Sequence, residues 1–590
     1  MIEPAVHAAG DRSAAFGGSN FGVVVTGDGN VVSVLGDLTA QVLPPATVAE
    51  ASRLLYGSGR RPLVESRSLL RWLAPDAGLM PVQPRRDVDE LARWVDARGE
   101  PLMRLVTGVG GQGKTVLGGL VCERAAARGW LAGFVRLPPP GWRTVGPAGG
   151  EAAHLRSWLL RWTEVIAATL ALPTLAGQTP GALLVVDYAE NQADVLSDLL
   201  AHVVNPVTGE DLTGRVRVLL LARHDRDWWP RLARDHPDRV WADPEPLRLG
   251  PLAEELPATA VAEVWREAVT VFARHAAETG LLPAEAGVRA AAASAASGPP
   301  LAATTLDLYA AALLGVLDHA AGPTAHAVPG DPLAGVLDHE RKLVTSSLAG
   351  VGLRLDDAGC DAALATVFLV PARSRAEGVA ALARIPALAQ IPAVAEAGAD
   401  LGRLAVELGR LYPDPAGRGL WRAPTPDRLP DTHLLRALGD APSDADAVDL
   451  VCTATEGTDA DDAADVVATL TRAATTPRAG LRYPAGLRRL RTATGRLVTG
   501  RAGGYLSGAI LLDPETHEAA ILAALESLPR VETDAVDAVL RRSGFATTRT
   551  RIAVARLRTA APALAGQPAV RRRRLVPLRR RHPPPRQPPR

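Results

Sequence analysis

Gly108-Val109-Gly110-Gly111-Gln112-Gly113-Lys114-Thr115 is the stretch on which the reading of this 590-residue chain turns. It matches the pattern G-x-x-x-x-G-K-[S/T], with Val116 following. A short apolar run of strand type, 103–107, precedes it, and a helical pattern over 114–127 follows, which is the context the motif requires. Glycines let the backbone wrap closely enough for its N–H groups to face phosphate oxygens. The helix that follows adds the positive end of its dipole. Lys114 is expected to reach the β- and γ-phosphates of a nucleotide and the Thr115 hydroxyl to ligate Mg²⁺. Lys114 and Lys342 are the only lysines, in a chain whose other basic residues are Arg. Arginine is too bulky to replace a compact point charge at such a loop.

Outward from the loop, short continuous apolar runs recur at 131–135, 183–187 and 216–222, as buried parallel strands read. Helical patterns at 114–127, 151–172 and 192–204 lie between them, and strands alternating with helices predict a doubly wound parallel sheet sandwiched by helices. Leu183-Leu184-Val185-Val186-Asp187 ends in an acid at the carboxyl end of a strand, where open α/β sheets place ligands. Holding hydrated Mg²⁺ is the natural role of that carboxylate. Tyr188, rather than a second acid, comes next. Glu190 is the nearest group that could polarise an attacking water, or else it is a helix N-terminal acid. Arg223, after the strand ending at Leu221-Ala222, is either a γ-phosphate sensor or a surface arginine at a strand end. In Gly298-Pro299-Pro300-Leu301, Pro300 either lies against a nucleobase or marks a helix boundary. The candidate binding set is therefore Gly108, Gly110, Gly111, Gln112, Gly113, Lys114, Thr115, Val116 and Pro300. Thr115 and Asp187 are the metal candidates, and Lys114, Asp187, Glu190 and Arg223 the catalytic ones. ATP or ADP with Mg²⁺ is the expected cofactor.

Length predicts several domains, and 47% hydrophobic with 22% charged residues is globular composition. The formal net charge is +1. The last twenty residues hold a run of arginines and no acid, so the body is mildly acidic and makes no case for nucleic-acid binding. Cys122, Cys360 and Cys452 are far apart and share no metal-ligand spacing, which fits a reducing compartment. No signal peptide is visible at the start and no apolar run is long enough to span a bilayer, so a cytoplasmic protein without a membrane partner is expected.

Six regions are expected. Residues 1–75 form an N-terminal region with a β-hairpin around Gly27-Asp28-Gly29-Asn30, and 76–252 the nucleotide-binding sheet domain. A helical lid follows at 253–320, a winged-helix-like module at 321–435, and a helical region at 436–567 with repeat-like helices at 518–528 and 534–542. Residues 568–590 read as a disordered Arg/Pro-rich tail. The fold class is thus multidomain, α/β followed by α.

These features together resemble the STAND class of signal-transduction ATPases, related to the NB-ARC and apoptotic-ATPase groups. The resemblance is carried by Arg104-Leu105-Val106-Thr107 running into the glycine loop, by Val185-Val186-Asp187-Tyr188-Ala189-Glu190, by Leu219-Leu220-Leu221-Ala222-Arg223, and by Gly298-Pro299-Pro300-Leu301. It implies a nucleotide-controlled switch whose modules close around ADP and open with ATP, permitting self-association or capture of a protein partner. It also implies a β-phosphate-contacting role for His433. Lacking a second acid after Asp187, the chain departs from fast ATPases, which suits slow turnover. The alternative is a nucleotide-regulated DNA-binding protein using the winged helix and basic tail, in which clustered arginines neutralise phosphates.

Overall fold

The computed structural model describes residues 23–26, 31–34, 47, 50–51, 54–56, 68–77, 79–80, 85–97, 102–136, 150–171, 181–191, 193–201, 215–225, 228–236, 245–300, 302, 304–321, 331–389, 397–414, 419–458, 460–474, 476 and 479–500. Strands β1 (Val23–Thr26) and β2 (Val31–Val34) pair antiparallel as a separate two-stranded sheet. The turn expected at 27–30, the repeat-like helices at 518–528 and 534–542 and the tail at 568–590 lie outside the described residues.

The main sheet contains β3 (Leu55–Tyr56), β4 (Met103–Thr107), β5 (Leu131–Val135), β6 (Ala182–Asp187), β7 (Val216–Ala222) and β8 (Leu247–Arg248), in the order β3-β5-β6-β7-β4-β8. Five of these strands run parallel, and β3 joins antiparallel at the β5 edge. Side chains alternate between faces with the period of 2 that a pleated strand imposes. Leu183, Val185, Leu219 and Leu221 pack with α1 (Arg86–Asp96) and α2 (Lys114–Ala126), through Trp94 and Val121. Leu184, Val186, Val218 and Leu220 pack on the other face with α3 (Gly150–Leu170), α4 (Ala193–Leu199) and α5 (Trp228–Asp235), through Trp162 and Leu196. Arg217 breaks the apolar run of β7. It is wholly buried yet satisfied, donating to the carbonyls of Trp94 and Ala97 with its guanidinium 5.7 Å from the Trp94 ring.

The chain leaves β4 by way of α2 on one face and leaves the adjacent β7 by way of α5 on the other. Connections diverging from neighbouring parallel strands open a crevice at their carboxyl ends. Register puts those ends level: Thr107 lies opposite Ala222, and Leu221 opposite Asp187.

From Leu252 onward the described chain is helical. Its main helices are α6 (Ala258–Glu278), α7 (Ala284–Ser297), α8 (Thr305–Ala321), α9 (Pro332–Gly350), α10 (Asp357–Leu369), α11 (Arg375–Ala383), α12 (Ala397–Leu411), α13 (Arg428–Asp440), α14 (Asp444–Ala454), α15 (Ala460–Ala474) and α16 (Pro484–Gly500). One contiguous apolar core joins them from Leu252 to Val498. Local chemistry sets several starts. Asp331 caps α9 by accepting from the N–H groups of Leu333 and Ala334, with Pro332 in the first turn, and Ser374 and Ser443 cap α11 and α14. Within 331–435 the described residues form helices plus one antiparallel bridge, Ala372 to Trp421.

Residues 69–77 belong to the helical body. Leu69, Leu70, Trp72 and Leu73 are part of its core, the Leu69 N–H donates to Glu340 Oε2 at 2.7 Å, and Trp72 meets His275 edge-on. The end of the N-terminal region expected at residue 75 thus lies inside this packed segment. No helix among the described residues is long and apolar enough to cross a membrane.

Candidate functional site

The glycine loop leaves β4 and turns into α2. Gly113, the N-cap of α2, has φ +89°, and Gly111 has φ +88°, both in the left-handed region that glycine adopts without steric cost. Gly108 is held to glycine by space instead, since a Cβ there would stand 2.9 Å from the Leu249 carbonyl oxygen. Lys114 folds back across the loop, and its Nζ donates to the carbonyls of Gly108 at 2.5 Å and Val109 at 3.1 Å. Burial brings its pKa down to about 8, with the Glu190 and Asp187 carboxylates opposing. The Thr115 hydroxyl donates to Asp187 Oδ2 at 2.7 Å, while Asp187 Oδ1 accepts from the Tyr188 N–H at 3.0 Å. Burial raises the Asp187 pKa, and the Thr115 hydrogen bond and Lys114 work against that rise.

A hydroxyl and a carboxylate at contact distance are hard oxygen donors of the kind that suit Mg²⁺. Among the described residues no group of three or more His, Cys, Asp or Glu side chains could cage a metal by itself. An ion at Thr115 and Asp187 would draw its remaining ligands from water and a bound phosphate.

Glu190 sits in a 3-10 turn (Ala189–Asn191) just after β6. Its Oε1 accepts from the Arg223 backbone N–H at 3.2 Å, tying the ends of β6 and β7 together, while its Oε2 is buried with no hydrogen-bond partner. Burial raises its pKa. Arg223 is half-buried rather than a surface arginine. Its guanidinium lies 5.9 Å from the Tyr188 ring, with Nη2 3.7 Å from Asp427 Oδ2 and 4.0 Å from Asp431 Oδ2. Tyr188 has φ +54°, an uncommon conformation for a bulky residue. Its hydroxyl donates to Asp427.

Over this crevice lies a roof from three remote stretches: Leu73, Pro75 and Met80; Thr305, Leu306 and Tyr309; and Pro426, Asp427 and Arg428. The crevice is a concave space partly open to solvent. Hydrogen bonds fasten the roof to the loop. The Leu306 N–H donates to the Gly111 carbonyl at 2.9 Å. Arg85 donates to the Gln112 carbonyl at 2.9 Å and Thr305 Oγ1 at 2.9 Å, and pairs with Glu255 at 2.6 Å. Arg428 donates to Thr304 Oγ1 at 2.7 Å and pairs with Asp307 at 3.1 Å.

Of the residues singled out in the sequence, Gly110, Gly111, Gln112, Gly113, Lys114, Thr115, Val116, Asp187 and Arg223 line the crevice together. Gly108 and Glu190 stand behind it, bonded to Lys114 and Arg223. Pro300 is not a wall of the crevice. It is exposed, two residues after Gly298, which at φ +71° ends α7. His433 is likewise elsewhere, its Nε2 3.1 Å from the Asp361 carbonyl and its ring 5.2 Å from Phe368. Arg85, Asp427, Arg428 and Asp431 were not legible as site residues, since no local spacing relates them to the loop. No family model matches the chain, and comparison with curated proteins finds no match. What fold and site define by themselves is a parallel α/β sheet whose glycine-loop crevice is roofed by a helical body.

Proposed function

We propose that the chain is an ATP-binding regulatory switch of the STAND type, with slow hydrolysis, acting in the cytoplasm in signalling, transcription control or defence. The observation that carries this reading is the meeting of Lys114 and Thr115, at the start of α2, with Asp187, sealed by the 2.7 Å hydrogen bond between Thr115 and Asp187. A P-loop lysine, a hydroxyl for Mg²⁺ and a strand-end carboxylate are thereby gathered where parallel strands open a crevice.

Bound ATP with Mg²⁺ supplies the phosphoanhydride and the divalent charge. The backbone N–H groups of the loop and the N-terminus of α2 bind and orient the phosphates. Lys114, now on the Gly108 and Val109 carbonyls, would turn to phosphate oxygens, and Thr115 and Asp187 would hold the metal. Buried, with a raised pKa, Glu190 is the carboxylate suited to accept a proton from water, but Oε1 is engaged by the Arg223 N–H. That engagement, and Tyr188 where a second acid would stand, favour slow turnover. The roof makes the site a switch: the helical body touches the loop itself, so a ligand in the crevice alters the body's footing. For a swing between about 1% and 99% of one state, ATP and ADP must differ by roughly 5.5 kcal/mol in their preference for it. Opening of the body is the step that would expose surface for self-association or a protein partner.

Purified protein denatured and chromatographed for released nucleotide tests the reading, together with size measurement in ADP and in a non-hydrolysable ATP analogue. Wild-type protein is expected to carry ADP or ATP, and Lys114→Ala to lose it. Undiminished nucleotide retention by Lys114→Ala would sink the proposal.

A further inference from the structure

We propose that Arg428, at the start of α13, is a ligand of the outermost phosphate of the bound triphosphate, supplied to the site by the helical body. The proposal rests on the nucleotide-binding reading above. The Arg428 side chain is only 5% exposed, yet it lines the crevice rather than an internal packing layer. It lies flat across the loop: a Cβ on Gly110 would meet its Cγ at 3.3 Å, and one on Gly111 would meet its Nη1 at 3.1 Å. The same point on Gly110 is 3.6 Å from Arg223 Nη2. Lys114 Nζ, held by the Gly108 and Val109 carbonyls, completes a group of three cations around residues 108–111. That is the end of the loop remote from the α2 N-terminus. The lysine of such a loop reaches the β- and γ-phosphates; Arg223 acts electrostatically on Lys114, and the Arg223 and Arg428 side chains converge over Gly110, which sets both toward the last phosphate.

Arg428 has donor capacity to spare. Nη1 is spent on Thr304 Oγ1 and on Asp307, but Nε is buried with no hydrogen-bond partner. A guanidinium can serve a phosphate with several N–H groups at once. An ion pair joining α8 to α13 would need only the tip of the side chain. Crossing two glycines of the loop is what brings the stem of the side chain against the phosphate-binding backbone.

Isothermal titration of the full chain with Mg·ADP and with a Mg-bound non-hydrolysable ATP analogue tests this, using wild type, Arg428→Gln, Arg428→Lys and Asp307→Asn, with melting curves to confirm folding. Arg428→Gln is expected to weaken the ATP analogue by about tenfold or more, the loss of a charge-assisted hydrogen bond, while ADP changes by less than about threefold. Arg428→Lys recovers part of the loss. Asp307→Asn removes the ion-pair partner but keeps the preference for the ATP analogue. Equal weakening of both nucleotides by Arg428→Gln, or of neither, overturns the proposal, because a purely structural clamp moves stability and not the ratio. Should Arg428→Gln fail to fold, Arg428→Lys carries the comparison, and an unchanged ratio in it is equally fatal. A wild-type protein that binds neither nucleotide defeats the nucleotide reading itself, which a preserved ratio in the variants does not.

Discussion

Asp427 and Asp431 lie one turn apart at the start of α13 and face the same two arginines, yet their protonation differs. For Asp427 burial pushes the pKa up, but Arg472 at 3.4 Å, Arg223 and the Tyr188 hydroxyl outweigh it and hold the group below the usual carboxylate range. Asp431 has the same arginines at 3.7 and 4.0 Å and no hydrogen bond to either oxygen, and burial pushes its pKa up to about 7. A carboxyl whose folded pKa is raised binds its proton more tightly in the folded state. Its contribution to stability is full below the unfolded value near 3.8 and is lost as pH rises through about 7. Asp431→Asn imitates the protonated form, so its melting temperature should exceed wild type by a margin that grows from pH 5.5 to pH 8. A variant that loses more at pH 8 than at pH 5.5 would show that the carboxylate is needed in its charged form. At this scale the sequence disclosed only what is contiguous or sits at a strand end. Lys114, Thr115 and Asp187 could be read because motif and strand pattern fix them. Arg428 and Arg85 could not, because only tertiary packing brings them to the loop.

Elements show the same division. The ends of β4, β5 and β7 match their apolar runs and β6 begins one residue earlier, since strands buried on both faces are written as continuous hydrophobic stretches. Strands β3 and β8 contain two residues each, too few to carry a period, and both went unread. The loop joining β4 to α2 depends on glycine for two different reasons, and substitution can separate them. At Gly113 a Cβ meets nothing within 4 Å, so Gly113→Ala should cost only the left-handed backbone, about 1–2 kcal/mol. Gly113→Asn should cost less, because asparagine tolerates that conformation. At Gly108 the added methyl meets a backbone carbonyl that cannot rotate away, so Gly108→Ala should shift β8 and destabilise by a steric route that asparagine does not relieve. Urea unfolding of the four proteins decides it; equal losses for Ala and Asn at Gly113 would remove the conformational explanation.

Across the whole molecule, the segment 68–77, which precedes the nucleotide-loop strand β4 in the chain, is built into the core of the helical body. Glu340 anchors it, wholly buried, with the Leu69 N–H on one oxygen and the Tyr412 hydroxyl donating to the other at 2.6 Å. Tyr412→Phe strands one carboxylate oxygen and should cost about 1–3 kcal/mol. Burial already raises the Glu340 pKa, so its protonated form is the easier one to strand. The loss measured by denaturant titration should therefore be larger at pH 8 than at pH 5. A loss that grows as the pH falls would contradict the assignment.

The roof of the crevice also bears on time. Its three pieces are Leu73, Pro75 and Met80; Thr305, Leu306 and Tyr309; and Pro426, Asp427 and Arg428, and Leu73, Leu306 and Tyr309 are also members of the helical core. A molecule seated on the glycine loop would touch all three pieces while one side of the crevice stays open to solvent. Its residence would then depend on the footing of the helical body as well as on the grip of the loop. Such a site keeps a slow clock: it registers what it last held long after the surrounding concentration has changed.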